Sequence, residues 1–264
     1  MDKFDIIIMA GQSNAEGCGL GEVEKPYVPN PRIMQLDIQK TVEHTPEQLY
    51  INFIGEPILS VAEEYDAGNG KLGNLSLSFA QKYPESGLLA EDRKLLIVRC
   101  GIGGSGFKKG HWGLQGVAYL NMLKMVDYAV NLNTQNRLVA FLWHQGEHDA
   151  FEKNDPQIFE KQLKSMVNDV RGRYNAPDLP FIAGDFVADW KGKNLDDCTP
   201  IIVKIQNVTA TIGNGAFIET SDLLSNDQAN KNGDDIHFCR RALYELGERY
   251  FKAFEGIVAD DIPQ

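Results

Sequence analysis

The feature that most constrains the fold is a repeated alternation of short apolar runs with longer amphipathic stretches. The short runs are apolar at consecutive positions, which is typical of strands that are covered on both faces. These runs are Ile6–Met9, Leu95–Val98, Leu138–Trp143, Pro180–Ala183 and Ala216–Ile218. Between them, apolar residues recur with the period of a helix that packs on a sheet, as in the stretches that start at Val117, Ile158 and Ala242. The alternation predicts an α/β protein with a parallel central sheet and helices on both of its faces.

Length and charge narrow the classes of protein that this chain can represent. Its 264 residues can bury a sizeable core, and we treat residues 1–264 as a single domain. The net charge is −11 and no basic stripe is present, so we expect neither nucleic acid nor an anionic membrane as a partner. No apolar run is long enough to span a bilayer, and Met1–Asp5 does not resemble the start of a secretory signal. The expected location is the cytoplasm, and the sequence leaves the oligomeric state open.

The segment from Cys18 to Asn74 interrupts the alternation. It contains several prolines and the glycine-rich string DAGNGKLGN. We predict a long excursion with one or two edge strands, for example RIMQLD at residues 32–37. Because long structured loops are often functional, this excursion either forms the wall of a pocket or only decorates the surface.

The cysteines indicate no metal or redox motif. Cys18, Cys100, Cys198 and Cys239 are far apart and form no CxxC pair. We expect reduced and mostly buried thiols.

The first motif that carries chemistry is Gly11-Gln12-Ser13-Asn14, at the end of the first predicted strand. Glycine lets the backbone turn sharply there, and Ser13 then lies where a helix can start, with free backbone N–H groups beside it. Ser13 is either a nucleophile at the edge of the sheet or only the cap of a helix.

The second motif, GIGGSG at residues 101–106, follows the next predicted strand and matches the dinucleotide pattern GxGxxG. The sequence after it does not open a helix, and no acidic residue stands where a ribose partner is needed. We therefore interpret these glycines as positions where bare backbone N–H groups approach a substrate.

The third motif, HQGEH, begins at His144 and ends at His148. It matches an inverted zinc-protease signature, in which both histidines must lie on one helix. Here the motif follows an apolar strand and contains Gly146, which disfavours a helix. The alternative is that Gln145 directs its amide donors at the edge where Ser13 lies, while Glu147 ties neighbouring loops together.

The fourth motif is Asp234-Asp235-Ile236-His237, just before the last amphipathic helix. An aspartate three residues before a histidine can reach Nδ1 of the imidazole and leave Nε2 facing outward. The alternative is that the motif only caps a helix on the surface.

Together, the strings MAGQSN, GIGGS, WHQGEHD and DDIHF…LGERY resemble the SGNH hydrolases. Within them, the chain is most similar to the group of carbohydrate esterase family 6 and the sialate O-acetylesterases, which is related to acetylxylan esterases. The resemblance implies a flavodoxin-like three-layer α/β/α fold and an esterase that acts on acetylated sugars. Two details differ from the wider pattern: Ser105 stands where many relatives have threonine, and Gln145 replaces the usual asparagine, as in other members of this subgroup.

The resemblance also implies a role for each matching residue. Ser13 is expected to be the nucleophile, His237 the general base and Asp234 its partner, without a metal or organic cofactor. The expected oxyanion donors are the N–H groups of Ser13 and Gly104, or less favourably Gly103, and the side chain of Gln145.

The partner that the resemblance implies is a small acetylated carbohydrate, such as an acetylated xylo-oligosaccharide or O-acetyl sialic acid. Trp112 either lines the sugar site with its indole ring or is a surface-loop tryptophan that packs on the core. Other acyl esters on the same fold, a zinc hydrolase that uses His144 and His148, and a glycan-binding protein without turnover are the alternatives.

Overall fold

A seven-stranded sheet forms the centre of the protein, whose computed structural model describes residues 2–45, 48–68 and 70–260. The strands in chain order are β1 (Lys3–Gly11), β2 (Ile33–His44), β3 (Leu49–Val61), β4 (Tyr65–Asp66), β5 (Lys71–Leu72), β6 (Arg93–Gly101), β7 (Arg137–His144), β8 (Phe181–Gly184) and β9 (Gly215–Ile218). The order across the large sheet is β3-β2-β6-β1-β7-β8-β9, and β4 pairs with β5 separately. Every pair in the large sheet is parallel except β2 with β3. The predicted parallel sheet is thus confirmed, with one antiparallel strand added at its edge.

Helices cover both faces of this sheet. They are α1 (Ser13–Glu16), α2 (Leu75–Glu85), α3 (Val117–Asn131), α4 (Glu147–Phe151), α5 (Pro156–Arg173), α6 (Ala188–Lys193), α7 (Leu195–Thr211), α8 (Asn226–Asn230) and α9 (Arg240–Asp260). Ile6 and Ile8 of β1 pack in a core cluster with α3, α5 and α7, whereas Ile7 and Met9 pack in a second cluster with α2 and α9. Alternate residues of one strand therefore face two different helix layers, which explains why the strand is continuously apolar. The three-layer α/β/α architecture is confirmed.

An aromatic cluster and one glycine allow α2 and α9 to pack closely against each other. Phe79 of α2 makes edge-on contacts with Phe251 and Phe254 of α9, each with 5.5 Å between ring centroids. A Cβ atom on Gly247 of α9 would lie 2.0 Å from the Ser78 hydroxyl oxygen and 2.1 Å from the Leu75 carbonyl oxygen. The absence of a side chain at this position therefore allows the two helices to touch.

The excursion at residues 18–74 contains more regular structure than the sequence predicts. The predicted edge strands are present as β2 and β3, which form an antiparallel hairpin of 12 and 13 residues at the edge of the large sheet. Only residues 33–36 of β2 pair with β6, so the rest of the hairpin extends past the sheet. Exposed residues interrupt the buried ones along both strands, and burial along β2 decreases toward the tip, because that part has water on at least one side. The continuous apolar pattern used to find the central strands is therefore missing here.

The far part of the hairpin is tied to the carboxyl edge of the sheet. Lys40 Nζ lies 2.8 Å from Glu16 Oε1 and 3.1 Å from the carbonyl oxygen of Gly101. This anchoring brings the hairpin tip beside the glycine-rich turn that follows β6.

The cysteines are unpaired: Cys100, Cys198 and Cys239 are buried and Cys18 is half-buried. In the described ranges, no helix has the length and apolar character needed to cross a bilayer.

Candidate active site

The carboxyl ends of three neighbouring strands meet at one level of the sheet. Gly11 at the end of β1 is in register with Gly101 of β6 on one side and with His144 of β7 on the other. The three motifs that follow these strands therefore start at the same edge. Ligands of open α/β sheets bind at such an edge.

The turn after β1 requires a glycine. Gly11 has a φ of +133°, and a Cβ atom there would lie 2.1 Å from the carbonyl oxygen of His144. The next residue, Gln12, donates its N–H to that same carbonyl at 2.9 Å. Ser13 then begins α1, so its N–H lies in the first turn, where backbone donors have no acceptor within the helix.

The side chains of Ser13, His237 and Asp234 form a continuous hydrogen-bonded chain. Ser13 Oγ lies 2.8 Å from His237 Nε2, although the two residues are 224 positions apart. His237 Nδ1 lies 2.9 Å from Asp234 Oδ2. A proton on Nδ1, facing the carboxylate, leaves Nε2 as an acceptor for the serine hydroxyl. Asp235 instead pairs with Lys193, with 2.8 Å between Oδ2 and Nζ, so Asp234 is the aspartate that contacts the imidazole.

Asn14 fixes the backbone on both sides of His237. Its buried amide donates to the carbonyl oxygen of Ile236 at 3.2 Å, and its Oδ1 accepts from the N–H of Phe238 at 3.1 Å. The residue after Ser13 thus determines where the histidine loop lies.

Glu147 connects Asn14 to the interior of the protein. The sequence analysis predicts such a role, in which Glu147 ties neighbouring loops together. Its Oε1 accepts from Asn14 Nδ2 at 3.0 Å and lies 3.6 Å from His144 Nε2. Burial raises the pKa of the Glu147 carboxyl and lowers the pKa of His144 to about 3. His144 is therefore uncharged at neutral pH, and its Nδ1 lies 3.1 Å from the hydroxyl of Tyr250.

The glycine-rich turn passes close to Ser13 and contains one N–H that is not bonded to the described part of the chain. Gly103 lies close to Ser13, because a Cβ atom on it would be 3.8 Å from Ser13 Cβ. The N–H of Gly103 is already bonded to Glu16 Oε2 at 2.8 Å. Within the described part of the chain, the N–H of Gly104 makes no hydrogen bond to the protein. The geometry therefore favours Gly104 and argues against Gly103 as an oxyanion donor.

Gln145 is buried at the same edge, but its amide already has acceptors. Nε2 lies 2.6 Å from Asp149 Oδ2 and 3.3 Å from the carbonyl oxygen of Ser105. The first bond is short and charge-assisted, whereas the second is long for a hydrogen bond of this type. Gln145 can serve a developing oxyanion only by giving up its bond to Ser105.

Comparison with known proteins gives the family of the chain. Residues 3–255 match the family model described as "Carbohydrate esterase, sialic acid-specific acetylesterase". The chain belongs to this family. Membership makes the protein a carboxylic ester hydrolase.

Solved structures show where else the fold occurs. The structure of NanS is 20% identical to this chain, with a TM-score of 0.74 and coverage of 98% of both chains. A protein from Arabidopsis thaliana is 19% identical, with a TM-score of 0.69 over 97% of this chain and 99% of the other. A carbohydrate acetylesterase from Xanthomonas citri is 16% identical, with a TM-score of 0.64 over 97% of this chain and 56% of its own. No curated protein matches the sequence.

The interpretation of Trp112 as a residue that lines the sugar site is wrong. Its side chain is completely buried, and Nε1 donates to Ser105 Oγ at 2.8 Å. The ring packs edge-on against Trp143, with 5.0 Å between centroids. A substrate cannot reach the indole. Trp112 instead supports the glycine-rich turn from the interior of the protein through its bond to Ser105.

The helix that a zinc site at HQGEH would need is not formed. His144 is the last residue of β7 and His148 lies in α4, which begins only at Glu147. Over residues 2–45, 48–68 and 70–260, no three side chains among His, Cys, Asp and Glu are grouped so that they could hold a metal ion.

Sequence reasoning missed three polar residues that organise the site. Glu16 fixes Gly103, and Asn226 donates to Asp234 Oδ2 at 2.9 Å. The buried carboxylate of Asp149 accepts from Gln145, from Asn154 and from the N–H groups of residues 107 and 108. Asp149 carries a weak signal, since an acidic residue directly follows HQGEH. Glu16 carries none, because Gly103 is 87 positions away in the sequence. Asn226 carries none, because no known motif links an asparagine to an aspartate at this spacing.

Proposed function

We propose that the protein is a serine esterase that removes O-acetyl groups from neutral carbohydrates, such as acetylated xylo-oligosaccharides, through an acetyl-enzyme. The observation that carries this proposal is the chain from Ser13 Oγ to His237 Nε2 at 2.8 Å and from His237 Nδ1 to Asp234 at 2.9 Å. Such an arrangement activates a hydroxyl that is otherwise a poor nucleophile near neutral pH.

The reaction then runs in two halves. Ser13 Oγ attacks the acetyl carbonyl carbon while His237 Nε2 takes the hydroxyl proton, and Asp234 stabilises the imidazolium that forms. The tetrahedral intermediate collapses by breaking the bond to the sugar oxygen, which receives the proton from His237. Water attacks the acetyl-enzyme with the same proton transfers, releases acetate and restores Ser13.

The negative oxygen of both intermediates needs donors that are already in place. The N–H groups of Ser13 and Gly104 meet this need, since neither is bonded to the protein within the described ranges. Gln145 supplies a third donor when its 3.3 Å bond to Ser105 is exchanged for the oxyanion.

A cleft beside Gly104 is suited to bind the sugar part of the ester, which leaves as the alcohol. The hairpin tip and α4 line this cleft with polar side chains, among them His44, Gln48 and His148. Burial lowers the pKa of His148, so its imidazole is neutral near pH 7. Neutral donors and acceptors such as the Gln48 amide and this imidazole match the hydroxyl groups of a sugar.

The charges around the site favour a neutral sugar over an anionic one. Three lysines near the site are paired with carboxylates: Lys40 with Glu16 at 2.8 Å, Lys109 with Glu152 at 3.4 Å, and Lys193 with Asp235 at 2.8 Å. A substrate carboxylate would have to compete with these pairs. O-acetyl sialic acid is the second candidate, because the family description names it.

Hydrolysis of 4-nitrophenyl acetate tests the ester chemistry. We expect Ser13→Ala to lower kcat by at least 10³-fold, a loss on the order of that seen when a triad member is removed, whereas Ser221→Ala on an exposed turn leaves it unchanged. We also expect the wild type to keep its activity in a chelator. Turnover that is equal in the wild type and Ser13→Ala, or that is lost in chelator, would contradict the proposal.

A direct comparison of two sugars tests the substrate class. Acetate release is measured from acetylated xylobiose and from O-acetyl-N-acetylneuraminic acid under identical conditions. We expect a higher kcat/KM for the neutral sugar. The opposite order would assign the protein to sialate de-O-acetylation.

A further inference from the structure

Asn226 is a completely buried residue at the start of α8, and its side-chain amide and its backbone N–H are bonded. Its side-chain Nδ2 donates to Asp234 Oδ2 at 2.9 Å and to the carbonyl oxygen of Cys18 at 3.1 Å. Its Oδ1 accepts from the N–H of Leu20 at 2.8 Å. Its own N–H donates to the carbonyl oxygen of His237 at 2.8 Å. No chemical step of the proposed reaction uses this residue.

These four bonds join the two halves of the active site. Cys18 and Leu20 belong to the segment that leaves α1, where Ser13 lies, and they are 208 and 206 positions from Asn226. Asp234 and His237 belong to the loop that precedes α9. One amide side chain therefore sets the distance between the segment of the nucleophile and the loop of the acid–base pair.

The short helix that carries Asn226 is itself fixed. Ser225 Oγ accepts from the N–H of Gln228 at 3.0 Å, and Gln228 Oε1 accepts from the N–H of Ser225 at 2.9 Å. This capping box holds the start of α8. Ser225 Oγ also lies 3.0 Å from Asp189 Oδ2. Asn226 is therefore a rigid donor rather than a side chain that adapts to Asp234.

The bond to Asp234 has a chemical consequence as well as a geometric one. The acceptor is Oδ2, one of the two Asp234 oxygens that lie 2.9 Å from His237 Nδ1. A second donor on this oxygen fixes the rotation of the carboxylate toward the imidazole and disperses part of its charge.

We propose that Asn226 is a positioning residue that orients Asp234 and aligns His237 with Ser13. This inference rests on the proposed function, because it assigns Asn226 a role in the same hydrolysis. Asn226 acts through Asp234 and touches neither the substrate nor the reacting atoms.

Two variants of Asn226 separate positioning from folding. Asn226→Ala removes the whole side chain. Asn226→Asp keeps an acceptor for the N–H of Leu20 but replaces the donor to Asp234 with a second carboxylate. Asn230→Ala is the matched control, because Asn230 lies on the same helix and bonds to the carbonyl oxygen of Leu20 at 3.3 Å without contacting Asp234.

The first readout is kcat and KM for 4-nitrophenyl acetate. We expect kcat to fall roughly 10- to 100-fold in both Asn226 variants, the size expected for one hydrogen bond to a charged group. KM should stay within about twofold, and Asn230→Ala should match the wild type.

The second readout is the pH profile of kcat/KM, whose midpoint does not depend on the fraction of folded protein. The titratable or charged groups near His237 are Asp234, Glu147, Cys18 and Asp235 with its partner Lys193. In Asn226→Asp an added negative charge favours the imidazolium, which cannot accept the serine proton. The acidic limb should therefore move to higher pH.

The possible outcomes separate failure of the inference about Asn226 from failure of the proposed esterase function. Wild-type activity that is no greater than that of Ser13→Ala would remove the proposed function and the role of Asn226 with it. Activity that needs Ser13, but with unchanged kcat in Asn226→Ala and an unshifted limb in Asn226→Asp, would overturn the inference alone. Reduced kcat in Asn226→Ala with an unshifted limb in Asn226→Asp would assign Asn226 to folding and also overturn it.

Discussion

The carboxylate of Glu16 accepts the N–H of Gly103 at 2.8 Å. The serine-bearing helix thereby holds the glycine-rich turn in the conformation that leaves the N–H of Gly104 free. The other oxygen of Glu16 lies 2.8 Å from Lys40 Nζ, so the same carboxylate also binds the β2–β3 hairpin.

Replacing Glu16 should therefore weaken catalysis without touching the triad. We expect Glu16→Ala to lower kcat for 4-nitrophenyl acetate about tenfold, the effect of losing one hydrogen bond to a charged acceptor. Glu16→Gln keeps an acceptor for Gly103 and should lose less. Glu24→Ala, on an exposed side chain nearby in the sequence, serves as the control. Equal kcat in Glu16→Ala and the control would show that the turn keeps its shape unaided.

Gln145 offers a sharper test of the oxyanion donors. If its amide turns from Ser105 to the oxyanion, Gln145→Ala should lower kcat by roughly 10²–10³-fold with little change in KM. Gln39→Ala, on the exposed side of β2, is the control. A decrease in kcat of less than about threefold would mean that Ser13 and Gly104 stabilise the oxyanion without Gln145, and that its bond to Asp149 is structural.

The central sheet could be predicted because burial on both faces leaves a direct record in the sequence. Ile6–Met9 and Leu95–Val98 are apolar at every position because α2 and α9 cover one face while α3, α5 and α7 cover the other. The ends of these strands then locate Ser13 and the glycine-rich turn without any knowledge of distances.

Other features depend on contacts between distant segments and leave no local pattern. Exposed residues interrupt the buried ones along the β2–β3 hairpin, so it does not resemble the central strands. The choice between Gly103 and Gly104 depends on Glu16, which comes from another part of the chain. Trp112 shows the same limit, because its residue type suits both a sugar platform and a core, and only its bond to Ser105 decides for the core.

The buried imidazole of His144 should make the stability of the protein fall in acid. Burial lowers the pKa of His144 from 6.5 to about 3. Between these values the unfolded chain binds a proton that the folded protein does not, so the free energy of unfolding decreases as the pH falls from 6.5 toward 3. The contribution is complete above pH 6.5, and its slope is at most about 1.4 kcal/mol per pH unit.

His144→Asn removes this titration while leaving a donor near the position of Nδ1. We expect its free energy of unfolding, measured with urea at several pH values, to depend less on pH than that of the wild type, by about 1 kcal/mol per unit between pH 6 and 4. Parallel curves for the two proteins would show that His144 becomes protonated in the folded state.

Gly247 tests the packing that supports the last helix behind the active site. Gly247→Ala places a methyl group 2.0 Å from Ser78 Oγ and 2.1 Å from the carbonyl oxygen of Leu75, so α9 must move away from α2. We expect a loss of about 1–3 kcal/mol in the free energy of unfolding, as is typical of overpacking.

Gly256 provides the matched control within the same helix. A Cβ atom there meets nothing within 4 Å, so Gly256→Ala should stabilise the protein by about 0.5–1 kcal/mol through helix propensity alone. The opposite signs of the two substitutions, measured by urea unfolding, separate the contact with α2 from the general preference of a helix for alanine. If Gly247→Ala proved as stable as Gly256→Ala, α2 and α9 would not be in the close contact that brings the start of α9, and the His237 loop before it, to the edge of the sheet.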